Sequence, residues 1–174
     1  MVRFLIHHNV EGNMIYFSQF YQTSMQSRKM EALMEIITAH LKVDNEREGA
    51  VVMMDTIRFS TYSIESQEYS MSSLKPLQEE FEGIQIIYCE VGGIVITLGL
   101  HDYDSLFVAQ NFLQNWIMLI RTLYKTRTFT NIYERPDELI VHLDKLLPMG
   151  NLSLINHSYL EYLKSEAANL IKAI

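Results

Sequence analysis

Cysteine is almost absent from this chain: Cys89 is the single one. No intrachain disulfide can form, and no zinc site can be built from thiolates. Cys89 lies in the apolar run Ile84-Gln85-Ile86-Ile87-Tyr88-Cys89 and reads as a buried small hydrophobe. Long apolar runs are missing too, since none approaches the ~20 residues that span a bilayer. Basic charge is scarce, with 14 Lys and Arg against 21 Asp and Glu, and a net charge of -7. The few bases are scattered, so no basic face is expected for nucleic acid or for anionic lipid. Repeats, low-complexity segments and domain-boundary linkers are also lacking. At 174 residues one domain is expected, large enough to bury roughly 70% of its unfolded surface without a staple.

Catalytic motifs are absent as well. His7 and His8 are adjacent, and on a strand adjacent side chains point to opposite faces, so they cannot share one metal in regular geometry. They read as separate histidines, one semi-buried and one facing a helix. His40, His101, His142 and His157 stand in no HExxH spacing. His101-Asp102-Tyr103-Asp104 falls where a strand gives way to a helix, a position α/β enzymes use, but a loop with a helix cap explains it more simply. Gly92-Gly93 lacks the context of a phosphate loop, and no serine sits in a GxSxG elbow. Glu79, Glu80 and Glu82 read as a solvated helix face. No enzyme, cofactor or metal site is therefore expected.

What the chain does contain is apolar periodicity. Residues 1–21 alternate as a hairpin, with Val2, Phe4 and Ile6 on one strand face and Leu5 on the other. Asn9 to Asn13 make the turn, with Gly12 or Asn13 able to take positive φ. Residue 2 already reads as core, which argues against a cleaved signal peptide and for a cytosolic domain. Met25 to Lys42 has helical period, with Met30, Leu33, Met34, Ile37 and Leu41 in one stripe and Ser24 or Ser27 as a cap. Ala50 to Tyr62 reads as a strand. Residues 63–83 read as an excursion, either exposed or ordered by a partner, with a short helix over Leu74 to Phe81. Ile84 to Cys89, Gly92-Gly93 and Ile94 to His101 form a second hairpin with a primed turn. Its second strand is apolar on both faces and so is expected to be covered on both.

A long helix follows from Ser105, capped by Asp104 or Ser105. Leu106, Ala109, Leu113, Trp116, Ile117, Ile120 and Tyr124 form its stripe, which Phe112, Leu119 and Leu123 widen past half the circumference. Such a helix is either central or shared with another subunit. Phe112, Trp116, Leu119 and Leu123, with Tyr159 and Tyr162, are the candidate partner-interface residues. The ten methionines favour core gap-filling over a partner surface. Arg135-Pro136-Asp137-Glu138 opens a further helix carrying Leu139, Leu143, Leu146 and Leu147. Pro148-Met149-Gly150 ends it, and Ser158 to Glu161 resembles a capping box before a last helix. The expected architecture is α/β (α+β): a five-stranded antiparallel or mixed sheet with helices on both faces and an extra C-terminal helix.

That order resembles the longin fold of the small, sigma chains of adaptor-protein complexes. Met1 to Ile6, Asn9, Gly12 and Phe20-Tyr21 are similar to the sigma opening. Leu146-Leu147-Pro148-Met149-Gly150-Asn151-Leu152-Ser153-Leu154-Ile155-Asn156, followed by Tyr159 to Glu166, resembles the end of the sigma subunit of the fifth adaptor-protein complex. Val91 to Leu113 is similar by hydrophobic pattern, and residues 43–83 are unmatched. The resemblance implies a longin-like domain over 1–150 and a C-terminal extension over 151–174 packed on it. It implies a non-catalytic subunit that pairs with a large adaptin chain, beside beta and mu subunits, with spatacsin and spastizin associated. It places the chain in the cytoplasm, reaching late endosome and lysosome membranes only through the complex, in vesicle-mediated protein sorting. Conventional sigma chains carry a base soon after the turn glycine and help bind acidic dileucine signals. Here Gly12 precedes Asn13, Met14, Ile15 and Tyr16, so conventional signal reading is not expected. The alternative is a longin module of a Rab exchange factor or vesicle tether. A small α/β enzyme using His101 and Asp102 is a third, weaker reading.

Overall fold

The computed structural model describes residues 1–20, 27–44, 53–58, 81, 83–124 and 136–173. Strands β1 (Val2–Asn9), β2 (Met14–Gln19), β3 (Met53–Arg58), β4 (Ile84–Val91) and β5 (Ile94–His101) make one sheet in the order β2-β1-β5-β4-β3. All of its pairings are antiparallel. Helix α1 (Ser27–Asp44) lies between β2 and β3 in sequence, and those strands form opposite edges. Helices α2 (Leu106–Tyr124), α3 (Pro136–Leu146) and α4 (His157–Ala173) follow the sheet, with a single 3-10 turn at Pro148–Gly150 after α3. The expected helix over 74–81 and most of the excursion at 63–83 lie outside the described residues.

Alternation along the strands builds two cores. Leu5, Ile87, Cys89, Ile94, Ile96, Leu98 and Leu100 face α2, α3 and α4. Ile6, Ile86, Tyr88 and Val95 face Met30, Leu33, Met34, Ile37 and Leu41 of α1. The helix stripe read from the sequence is the buried one. Strands β1 and β5 are thus covered on both faces, and the polar side chains they carry inward, His7, His8 and Thr97, are buried with them.

One alternation departs from expectation. Val2 was placed on the face of Phe4 and Ile6, yet it packs with Leu5 in the α2 core, while Phe4 and Ile6 join the α1 core. The register against β5 shifts between Val2 and Phe4. Arg3 is the extra residue, and a bulge of one residue flips everything before it to the other face.

Turn chemistry locks both hairpins. Asn9 Oδ1 accepts from the backbone N–H of Glu11 (3.1 Å) and of Asn13 (2.8 Å), and it is Gly12 that takes positive φ, at 88°. Gly92 and Gly93 both have positive φ (58° and 82°), the primed turn that the pair predicts. The Val10 N–H donates to the Gly93 carbonyl at 3.1 Å, tying one turn to the other.

At the far end of β1 the Pro148-Met149-Gly150 turn closes on the hairpin. Met149 and Gly150 have φ of 51° and 77°. A Cβ on Gly150 would stand 2.7 Å from Phe20 and 3.0 Å from the Val2 carbonyl. Beyond it, Asn111 Oδ1 accepts from the Ile155 N–H at 2.9 Å, and Ile155, Leu160 and Leu163 enter the α2 core. The expected capping box at Ser158 is not used. Asn156 Oδ1 accepts from the Tyr159 N–H (2.8 Å), while Glu161 turns to Lys164 (2.7 Å).

In β5 the Phe4 ring fills the space beside Gly99, where a Cβ would fall 2.2 Å from it. Gly99→Ala is expected to cost about 1–3 kcal/mol through overpacking. Trimming the ring should relieve it, so Phe4→Leu combined with Gly99→Ala should cost less than the sum of the two singles. Urea unfolding of the four proteins measures the cycle, and strict additivity would refute the contact.

Candidate functional site

The broad helix α2 is central. Phe112, Trp116 and Leu119 are all at most 1% exposed and belong to the core under the sheet. This corrects their assignment to a partner surface: β1, β4 and β5 with α3 and α4 provide the cover that a second subunit was expected to give. Truncating buried Phe or Trp to Ala costs about 3–5 kcal/mol, so these residues hold this chain together. The Leu123 side chain lies outside the described residues.

Tyr159 and Tyr162 do face outward, 41% and 58% exposed. Their rings stack with centroids 6.3 Å apart and planes 22° from parallel. The Tyr159 hydroxyl donates to the Lys145 carbonyl (3.1 Å), satisfying an end carbonyl of α3. Lys145 Nζ pairs with Glu166 across the two helices. That bond, with a smaller contribution from the Tyr162 hydroxyl, holds the Glu166 carboxyl below its ordinary pKa. The tyrosines therefore present fixed ring faces to solvent, as low-entropy contact surfaces do. Met149 and Leu154, at 74% and 61% exposure, lie just before α4 in sequence.

The histidines serve separate structural ends. His7 sits between Tyr16 (5.4 Å between ring centroids) and Trp116 (6.2 Å). His8 lies against the opposite face, its Nδ1 donating to the Asn9 carbonyl at 2.9 Å. Both are fully buried, so the expectation that one is only semi-buried is corrected, because both faces of β1 are covered. Desolvation lowers the pKa of His7 to about 3 and lowers that of His8. On α3, Glu138 and His142 are also buried. Burial outweighs Glu138 in lowering the His142 pKa. The sequence reading missed this pair because Glu138 looked like a first-turn acid, although its spacing of four from His142 puts the two on one face.

His101 marks the corner between β5 and α2. Arg3 Nη2 donates to His101 Nδ1 (3.2 Å), and Tyr103 stacks on the ring at 4.8 Å. The Asp104 carboxylate accepts from the His101 N–H (3.0 Å), and Gln85 Nε2 donates to the carbonyls of His101 and Asp102. These bonds close a turn. Asp102 and Tyr103 are exposed, and no nucleophile and base are brought together there. Among the described residues no group of His, Cys, Asp or Glu is arranged to hold a metal, and no helix is long and apolar enough to cross a membrane. Burial pushes the Cys89 thiol up to about 12, well away from reactivity.

No family model matches the chain, and no curated protein matches it in sequence. Comparison of structures does find similarity. A chain of a homology model of the full-length AP-3 complex in a stretched open conformation superposes with a TM-score of 0.62 at 14% identity, over 99% of this chain and 95% of that one. The fold is therefore similar to that of a chain of an adaptor-protein complex.

The buried histidines give the chain a defined response to acid. Burial holds the folded pKa of His7 near 3, against 6.5 for the free side chain. Below pH 6.5 the unfolded state binds more protons, so stability falls as pH falls. For His7 alone the loss between pH 8 and pH 5 is about 2 kcal/mol, and His8 and His142 act in the same direction. The lowered carboxyls Glu161 and Glu166 start from 4.5 and lose their contribution only at lower pH. Urea unfolding at the two pH values should show the difference, and His7→Leu should shrink it by about 2 kcal/mol.

Proposed function

We propose that the chain is the non-catalytic small subunit of a heterotetrameric adaptor-protein complex, the partner of a large adaptin chain in vesicle-mediated protein sorting. The observation that carries this reading is the end-to-end likeness of fold, over 99% of this chain and 95% of the AP-3 chain. The sigma subunit of the fifth adaptor-protein complex is the specific assignment. It is supported by the Leu146 to Glu166 segment, whose Pro-Met-Gly turn seats against Phe20 and Val2. On this reading beta and mu subunits complete the complex, spatacsin and spastizin associate with it, and it acts in the cytoplasm on late endosomes and lysosomes. The chain spans 1–150 as the longin-like domain and 151–174 as its extension. The exposed, hydroxyl-anchored rings of Tyr159 and Tyr162 are the candidate contact for the large chain.

Affinity purification of the tagged chain with mass spectrometry of copurifying proteins tests the assignment. A large adaptin chain with beta and mu subunits is the expected outcome. Recovery of a small GTPase with another longin protein instead would move the chain to an exchange factor or tether. Tyr159→Ala with Tyr162→Ala should reduce recovery of the large chain by tenfold or more, as about 1–2 kcal/mol per interface tyrosine implies. Circular dichroism should show the fold retained, and undiminished recovery would remove the tyrosines from the interface.

A further inference from the structure

Strand β2 is an edge of the sheet, paired with β1 on one side and with no strand on the other among the described residues. The Phe20 N–H donates to the Arg3 carbonyl at 2.9 Å, and Ser18 stands opposite Leu5. Antiparallel alternation then turns the N–H and C=O groups of Tyr16 and Ser18 toward β1 and those of Phe17 and Gln19 outward. Natural sheets guard such an edge with charge, proline or brevity. β2 has none of these: Met14-Ile15-Tyr16-Phe17-Ser18-Gln19 holds no charged residue and no proline, and its 6 residues are an ordinary strand length. The opposite edge, β3, contains Asp55 and Arg58. No residue of β2 is buried, whereas β1, β4 and β5 are buried along most of their length. Met14 stands opposite His8 and Tyr16 opposite His7, so Ile15 is a bulge. It confines regular pairing to the stretch from Tyr16 to Phe20.

We propose that this edge pairs with β2 of a second copy of the chain, antiparallel about a two-fold axis at Ser18. Phe17 of each copy then faces Gln19 of the other, and each such pair exchanges both of its N–H···O=C bonds. Ser18 meets its own counterpart at a close, non-hydrogen-bonded position, where a small side chain fits. Tyr16 meets Phe20 of the other copy on the α2 side of the sheet, an aromatic cross-strand pair. Charge agrees with self-pairing. None of these pairs holds a charge, so the net charge of -7 on each copy acts only at longer range, where salt screens it. Pairing β2 with β3 of another copy would set uncharged residues against a strand containing Asp55 and Arg58, and as a head-to-tail contact it would leave ends free to propagate. A peptide laid on β2 would leave its own outer edge open. Two-fold pairing closes the edges of both copies at once and makes one continuous sheet. Such pairing needs only the open β2 edge and does not depend on the adaptor assignment.

Sedimentation of the purified full chain over a range of concentrations tests the proposal. A concentration-dependent dimer with no larger species is expected, and added salt should tighten it by screening the repulsion between like-charged copies. Gln19→Pro removes an outward N–H without touching the ladder to β1, and should weaken dimerisation about tenfold or more. Gln19→Ala keeps that N–H and should change affinity by less than about twofold. Ser18→Cys should cross-link two copies on mild oxidation, because a Cα spacing of about 4.5 Å at the axis lies within disulfide reach. Cys89 is buried and does not compete. Gln19→Cys stands off the axis from its counterpart and should cross-link far less. The proposal is overturned if the chain stays monomeric at every concentration, if assemblies grow past the dimer, or if salt dissociates it. It is equally overturned if Gln19→Pro dimerises as well as the unaltered chain, if Gln19→Ala dimerises as poorly as Gln19→Pro, or if Gln19→Cys cross-links as readily as Ser18→Cys.

Discussion

Everything in this fold is placed by the double burial of β1 and β5. Each strand gives one face to α1 and the other to α2, α3 and α4, and each is flanked by strands on both edges. A strand so placed has no solvated face, so its polar residues must be tolerated inside. His7 and His8 persist there as neutral rings, which is what burial enforces on an imidazole. Gly99 follows from the same crowding, since the Phe4 ring occupies the space its side chain would need. The bulge at Arg3 then sets where the first residue of the strand points. It also leaves the Arg3 guanidinium beside His101, linking the start of β1 to the corner that leads into α2.

Much of this was legible in the sequence where one period ran long enough. The stripe of α1, the Gly92-Gly93 turn and the two-sided apolar face of β5 are repeated signals, and each is found in the structure. Single-residue events were not legible. Nothing in Val2-Arg3-Phe4 distinguishes a bulge from plain alternation, because an apolar residue fits either core. Asn156 displaced Ser158 as the cap of α4 because both residue types accept from a helix N–H, and only the path from Ile155 decides between them.

The candidate site was less legible than the fold, for a physical reason. A helix apolar over more than half its circumference reads the same whether its cover comes from its own chain or from another. In α2 the cover is internal, so Phe112, Trp116 and Leu119 are core. Tyr159 and Tyr162 point outward because their hydroxyls find partners at Lys145 and Glu166 while their rings remain in water.

The likeness to an adaptor-complex chain at 14% identity is intelligible on the same terms. The Pro148-Met149-Gly150 turn meets Phe20 and the Val2 carbonyl, so the C-terminal motif is a packing device that closes the last helices onto the first hairpin. Packing of this kind sets the fold and leaves the surface open to change. Here the tyrosine pair stands exposed on α4, over one face of the sheet, and Glu31 and Glu35 stand exposed on α1, over the other.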